Sequence, residues 1–493
     1  MLRALVFGIF ALTASCAGAP PAAERPLEIV LPQEIATLDP RFSTRGHDVK
    51  TTRLVHAGLA GLDPDTLAPV PLVAQSWQFT SERTLAVDLR PGVRFHSGRP
   101  LTASDVCATL LALADPKLGS PHRAVVRAIG SCEAQGDHRL QLTLATDRAT
   151  LLTDLEVPIL RADQAAAAPT PLGGLDGLGP YRITRASPAV VELEPADTGV
   201  WPRPRHALVV RSIRDENARA LRLLGGRADI APNALSPTLL PALEGRAGLT
   251  TLARSGANVS YLLFQNDRPP FDRVEVRRAV AQAIDRDQIV RALLSGRAQT
   301  ARGLLPHGHW AAPAAPTIQV FDPAPARAVL AGLPEVTLVT STDRLRITVA
   351  RALAQMLGDA GLKVRVVSLD FGVLLARLDS GDFEMATLQM PELTEPNLLA
   401  WFFHPRGVPG EGGEGKNRAR YRDAEVGAWL DAAGKTRDQA RRQALYSQVA
   451  ERMQRDVPVV PLWHEDQVAV VSARAAGFSL SAEGRWLGVA ALP

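Results

Sequence analysis

The chain has 493 residues. At about 150 residues per domain this implies two or three domains, each large enough to bury a core. With 46% hydrophobic and 22% charged residues it matches neither a disordered chain nor a polytopic membrane protein. The formal net charge of +4 comes from 55 cations scattered among 51 acids. That pattern offers no concentrated field for a phosphate backbone and excludes nucleic acid as a partner. Lys50, Lys117, Lys363, Lys416 and Lys435 are the only lysines, and the remaining cations are arginines.

Residues 1–3 give a cationic start and residues 4–12 an apolar run too short to span a bilayer, the layout of an export signal. The run ends in Leu12-Thr13-Ala14-Ser15-Cys16, which resembles a bacterial lipobox, with Thr13 where a larger aliphatic residue is usual. The resemblance makes residues 1–16 a lipoprotein-type signal peptide and Cys16 the lipidation site; plain cleavage near residues 17–19 is the alternative. Residues 17–26, small and rich in proline, then form a tether, and the protein is expected in the periplasm or on the outer face of the cell membrane, held by its lipid. In an oxidising compartment Cys107 and Cys132 are either a disulfide or two separate buried thiols.

In chain order, residues 27–31 predict an apolar strand and residues 37–40 a turn. Alternation of Leu85, Val87 and Leu89 predicts a half-buried strand over 84–90, and Pro91-Gly92 turns the chain. Thr102-Ala103-Ser104-Asp105 reads as a capping box for a helix running to about Ala114, and residues 138–145 alternate again. Residues 165–179, rich in Ala, Pro and Gly, predict a connection between lobes. Strands near 190–194 and 207–212 accompany a helix near 214–225. Asp272 with Glu275, and Asp285 with Gln288, place acids at the starts of two consecutive helices, the second closed by Gly296. Val349, Leu353, Met356 and Ala360 line one face of a helix that Gly361 ends, and a strand follows over 363–369. Repeated strand–helix–strand units imply α/β lobes.

A search for chemistry gives negative results. Residues 410–416 spell G-x-x-x-x-G-K, but Asn417 follows, Glu411 and Glu414 intrude, and no strand precedes, so a nucleotide loop is rejected. Neither G-x-S-x-G nor H-E-x-x-H is present; His464-Glu465-Asp466-Gln467 lacks the second histidine. His307 and His309 after Pro306 are expected to face solvent rather than a metal. No catalytic residue, metal or cofactor is assigned, and an exported hydrolase is the least favoured reading.

Pro69-Val70-Pro71-Leu72-Val73-Ala74-Gln75-Ser76-Trp77 and, after a gap, the run from Arg90-Pro91-Gly92 through Phe95 and Pro100 to Thr102-Ala103-Ser104-Asp105-Val106 resemble the signature of the extracellular solute-binding proteins of family 5. These are the peptide, oligopeptide and nickel receptors of ABC importers. Gly177-Leu178-Gly179-Pro180-Tyr181, Gly226-Arg227-Ala228-Asp229-Ile230, the stretch from Tyr261 through Asn266 and Pro269-Pro270-Phe271-Asp272 to Asp285, and Asn417, Tyr421 and residues 441–446 extend the likeness in family order. Taken bottom-up, Trp77 and Phe95 are core residues, the prolines and glycines turns, and 102–105 a cap. Such residues mark a scaffold and touch no ligand.

The resemblance implies an α/β, two-lobed periplasmic-binding-protein fold of type II, cluster C, with an extra inserted domain. The first lobe would comprise 27–54, 175–255 and 466–493, the insertion 55–174, and the second lobe 256–465. In the family's peptide receptors the segment equivalent to 388–397 carries a glycine–tryptophan pair, an aspartate that pairs with the peptide's α-ammonium, then Asp-Pro. Here Glu392 takes the ammonium-pairing position and Glu395-Pro396 replaces Asp-Pro, while the aromatic pair is missing. Trp401 is a candidate apolar wall, Tyr261 and Asn266 are candidate ligand contacts at the lobe crossover, and His404 is a weaker candidate for a metal-chelate binder. The expected function is that of a monomeric, lipid-anchored receptor passing a peptide-like or amine-bearing solute to an ABC permease. The alternatives are an exported sensory or partner-binding protein on the same scaffold, or a nickel-type receptor.

Overall fold

The structure is a computed structural model that describes residues 25–390, 392–412 and 415–493. Cys16, the signal segment and most of the tether lie outside the described residues.

Two large sheets organise the molecule. The first is seven-stranded, in the order Leu249–Arg254, Gln467–Ser472, Ile230–Pro232, Leu27–Leu31, Leu208–Ser212, Val190–Pro195, Tyr181–Ala186. Leu27–Leu31 pairs in parallel with both neighbours and is buried along its whole length, which explains why it is apolar rather than alternating. Its side chains nevertheless divide by parity: Leu27, Ile29 and Leu31 pack with Tyr181 and Trp486, and Val30 packs oppositely with Leu223, Leu240 and Val470.

The second sheet runs Ala298–Thr300, Val459–Glu465, Val259–Phe264, Met385–Met390, Val336–Ser341, Val364–Leu369. Its strand Val259–Phe264 lies between two helical layers and is buried on both faces. Leu262 and Phe264 join the core under helices Val274–Gln282 and Arg344–Asp359, and Tyr261 and Leu263 join the one under helix Gln439–Asp456. A third unit carries the four-stranded sheet Ala74–Ser81, Thr84–Leu89, Arg139–Leu144, Ile129–Ala134. Its helix Ala103–Ala114 is joined to the edge strand by the Cys107–Cys132 disulfide.

The alternating segments become strands where expected. The Asp105 carboxylate accepts from the Thr102 amide at 3.0 Å and from its hydroxyl at 2.9 Å, so the box forms at the predicted helix start. Asp285 caps helix Arg286–Leu293 by accepting from the Gln288 amide. Asp272 does not cap its helix: that helix begins at Val274, with Arg273 in the cap position and no side-chain cap bond. The backbone enters one residue later than the acid, leaving Asp272 out of reach.

The chain crosses between the two large sheets twice, through residues 255–258 and at Asp466. The Asn258 side chain bolts the crossings together, donating to the Glu465 carbonyl at 2.9 Å and accepting from the Glu465 amide at 2.8 Å. A Cβ on Gly256 would lie 2.2 Å from the Glu465 oxygen, so only glycine lets the two strands approach this closely.

Candidate functional site: the cleft between the lobes

Beside these crossings lies a cavity of about 330 Å³ with walls from both lobes. Lys50, Asn233, Leu240 and Gln467 come from the side of the first sheet, and Asn258, Gln389, Glu392 and Glu465 from the second. Strand ends and crossings supply most of the polar groups, since side chains leaving the ends of a buried sheet have no core to enter, and Leu235, Leu294 and Leu345 add apolar surface to the wall. Asn233 is held by the Val468 amide at 2.8 Å and by the Gln467 side chain.

Glu392 follows the end of strand Met385–Met390, its side chain 38% exposed. Across the cleft stands Lys50, on helix Gly46–Val55, with its amine 3.5 Å from the Glu392 carboxylate and a side chain only 15% exposed. Glu465 is tethered to Arg346 at 2.7 Å and to Ser260 at 3.0 Å. Burial works against its charge, but the Arg346 guanidinium outweighs it and keeps the carboxyl below the usual range. Behind Lys50, Arg485 clasps Glu156 with both terminal nitrogens, one at 2.9 Å, and Arg53 donates to the Glu156 carbonyl. Glu483, 2% exposed, has one oxygen near Arg485 and the other without a hydrogen-bond partner; burial pushes its carboxyl up. The cleft thus carries both signs of charge within reach of one small solute.

Residues 68–410 match the family described as bacterial extracellular solute-binding proteins, family 5. The chain belongs to this family. A dipeptide-binding protein of Pseudomonas aeruginosa is 26% identical over 506 residues, covering 93% of each chain. The glutathione-binding protein GsiB of Pectobacterium atrosepticum is 26% identical over 488 residues, 95% of this chain and 94% of that one. Among solved structures, CtaP of Listeria monocytogenes superposes with a TM-score of 0.83 at 20% identity, covering 94% of this chain and 98% of that one. NikZ of Campylobacter jejuni, in complex with Ni(L-His), gives 0.80 at 22% identity, covering 94% and 97%. The fold is the two-lobed one expected from the motifs, and this family member is a binding protein, not an enzyme.

Of the candidate ligand contacts of this family 5 protein, Glu392, Glu395, Tyr261, Asn266 and Trp401, only Glu392 lines the cleft. Glu395, three residues on, is ion-paired with Arg442 and lies 3.5 Å from the Thr153 hydroxyl, so it braces the second lobe against the inserted unit. Burial pushes its carboxyl above the ordinary value in spite of Arg442. Tyr261 is 4% exposed within the second lobe's core, because a strand covered on both faces turns every side chain inward. The Asn266 amide donates to the carbonyls of Phe264, Ala419 and Pro458, a bracing role at the far end of that strand from the crossings. Trp401 stands 43% exposed on helix Leu398–Phe403, outside the cavity wall, and Phe403 turns into the core.

His307 is exposed as expected, but its neighbour two residues on is not. His309 is buried, its Nδ1 accepts from the Ala311 amide, and burial lowers it to about 4. His404 is engaged by the Arg406 amide and lies 3.4 Å from Asp431. Among the described residues no cluster of three metal-ligating side chains occurs. Lys416, in the rejected G-x-x-x-x-G-K run, pairs with Asp379 at 3.0 Å. Sequence reasoning missed Lys50, Asn233, Asn258 and Gln467. They come from four separate segments and share no spacing that would have signalled a site.

Proposed function

We propose that this protein is an exported receptor, lipid-anchored through Cys16, that encloses a peptide-like or amine-bearing solute between its lobes and delivers it to an ABC importer permease. The lobes in this reading are residues 27–54, 175–255 and 466–493 against 256–465, with 55–174 inserted, and the protein acts as a monomer. The observation that carries it is Glu392: a carboxylate at the mouth of an interlobe cavity, half-exposed, whose one ionic contact within 4 Å among the described residues is to Lys50 on the opposite wall. In a closed, poorly hydrated cleft an ionised acid is a strong partner for an ammonium group. The names of the dipeptide- and glutathione-binding relatives support the same class of cargo.

Isothermal titration with a dipeptide library tests the reading. Wild-type protein is expected to bind saturably, and Glu392→Gln to lose roughly ten- to a hundredfold in affinity, the scale of one charge-assisted hydrogen bond. Binding undiminished in the variant would remove the ammonium role from Glu392. Absence of any binding by the folded wild type would remove peptides from the assignment.

A further inference from the structure

A second cavity, of about 270 Å³, lies behind the cleft wall and shares no wall residue with the cleft. Leu72 and Trp201 in its wall pack against the core of the unit carrying the four-stranded sheet, and Leu487 packs against the core of the first sheet. The cavity therefore sits at the junction of these two bodies. Pro64 and Val70, also on its wall, are exposed, which gives it a mouth of its own.

Two residues of this wall keep a buried polar atom unsatisfied. Glu483 and His56 are each 2% exposed, and neither the second carboxylate oxygen of Glu483 nor Nδ1 of His56 has a hydrogen-bond partner among the described residues. Such atoms cost free energy unless a polar group reaches them. The charges around them already balance, with the guanidiniums of Arg53 and Arg485 standing against the carboxylates of Glu156 and Glu483. A charged occupant of either sign would be left uncompensated. A carboxylate oxygen only accepts, so the partner Glu483 lacks is a donor. Burial lowers His56 to about 3, so its ring is neutral and Nδ1 takes a donor or an acceptor according to tautomer.

We propose that this cavity is a second ligand site, separate from the cleft, for a small uncharged solute with an apolar body and a hydroxyl group. The hydroxyl supplies the donor that Glu483 lacks, and because it also accepts it suits either tautomer of His56. The body lies against Leu62, Leu72, Trp201 and Leu487. The size agrees with this class: pockets for drug-sized ligands begin at about 300 Å³, so a slightly smaller one takes a single ring or a short chain.

Titrations of benzyl alcohol and of its methyl ether, followed by saturation-transfer NMR, test the assignment. Wild type should bind the alcohol roughly tenfold or more tightly than the ether, the scale of a hydrogen bond to a charged group. Glu483→Met removes the acceptor and should bring the two within about twofold of each other. Leu62→Trp, at a half-buried position of the wall, fills the cavity and should abolish binding of both. Benzylamine and benzoate, the charged counterparts, should fail to displace the alcohol. Because alcohol and ether are compared within one variant, a change in fold stability cannot imitate the lost discrimination. Equal binding of the two by wild type, discrimination that persists in Glu483→Met, binding that survives Leu62→Trp, or displacement by either ion overturns the proposal. So does an absence of binding, which leaves the cavity holding water only. None of these results bears on the role of Glu392 in the cleft.

Discussion

Arg485 and Arg53 converge on one carboxylate, Glu156, whose side chain is 11% exposed. Burial opposes the charge of this acid, but the two guanidiniums prevail and hold its carboxyl below the usual range. Removing the acid leaves two enclosed cations facing each other, so Glu156→Gln is expected to cost about 3–5 kcal/mol in denaturant unfolding. The ordinary value for this group is 4.5. With the folded value depressed, its stabilisation is complete above that pH and is lost as pH falls through the folded value. Two buried histidines act in the same direction at milder pH. Burial lowers His56 to about 3 and His309 to about 4, from an ordinary 6.5. Between 6.5 and those values the unfolded chain binds protons that the folded chain refuses, so stability declines by about 1.4 kcal/mol per pH unit for each histidine. Melting temperatures recorded from pH 7 to 4 should fall accordingly, and the double variant His56→Gln/His309→Gln should flatten the slope.

At the scale of elements, the two crossings depend on backbone meeting backbone. Gly256→Ala would set a methyl 2.2 Å from the Glu465 oxygen, and a loss of about 1–3 kcal/mol is expected in thermal unfolding. Asn258→Ala would strip the Glu465 amide and carbonyl of their 2.8 and 2.9 Å partners at the same joint, with a cost of similar size. In the inserted unit, replacing Cys107 and Cys132 by serine opens a loop of 25 residues and should destabilise the protein by about 2–4 kcal/mol, measured as the difference between oxidised wild type and variant.

The strands of these elements were legible from apolar alternation, and the scaffold from its turn and cap motifs, because both are local properties. The cleft was not. Helix Gly46–Val55, which presents Lys50, has no side-chain cap at Arg45, and the face it buries is polar at Asp48, Thr51 and Thr52 and apolar only at Leu54 and Val55, so its apolar pattern is too short to announce a helix. Glu392 and Glu395 lie in one short segment and look alike as sequence. Arg442, from a helix far along the chain, separates the buried acid from the open one. Tyr261 and Asn266 sat where a ligand contact was plausible, but polarity does not reveal that both faces of the Tyr261 strand are covered, nor that Asn266, just past its end, is spent on the carbonyls of Phe264, Ala419 and Pro458.

For the whole molecule, a ligand that contacts both walls of the cavity stabilises the arrangement as a unit. Saturating peptide at a hundredfold above its dissociation constant should add about 2.7 kcal/mol to unfolding, read as an upward shift of the melting temperature. Lys50→Met, which removes the contact between Lys50 and Glu392, should lower the melting temperature of the empty protein.

The placement of strand Gln467–Ser472 governs how the chain reaches this state. It lies between Ile230–Pro232 and Leu249–Arg254 in the first sheet, although it follows them by more than two hundred residues. Tyr181 and Leu27, from much earlier in the chain, share their core with Trp486. The first lobe therefore has an open slot in its sheet until Gln467–Ser472 has been made, and the earlier strands cannot lock shut without it. Such a gap keeps the lobe pliable through most of its own length: the sheet closes only when one strand, made more than two hundred residues after its neighbours, slides in between them.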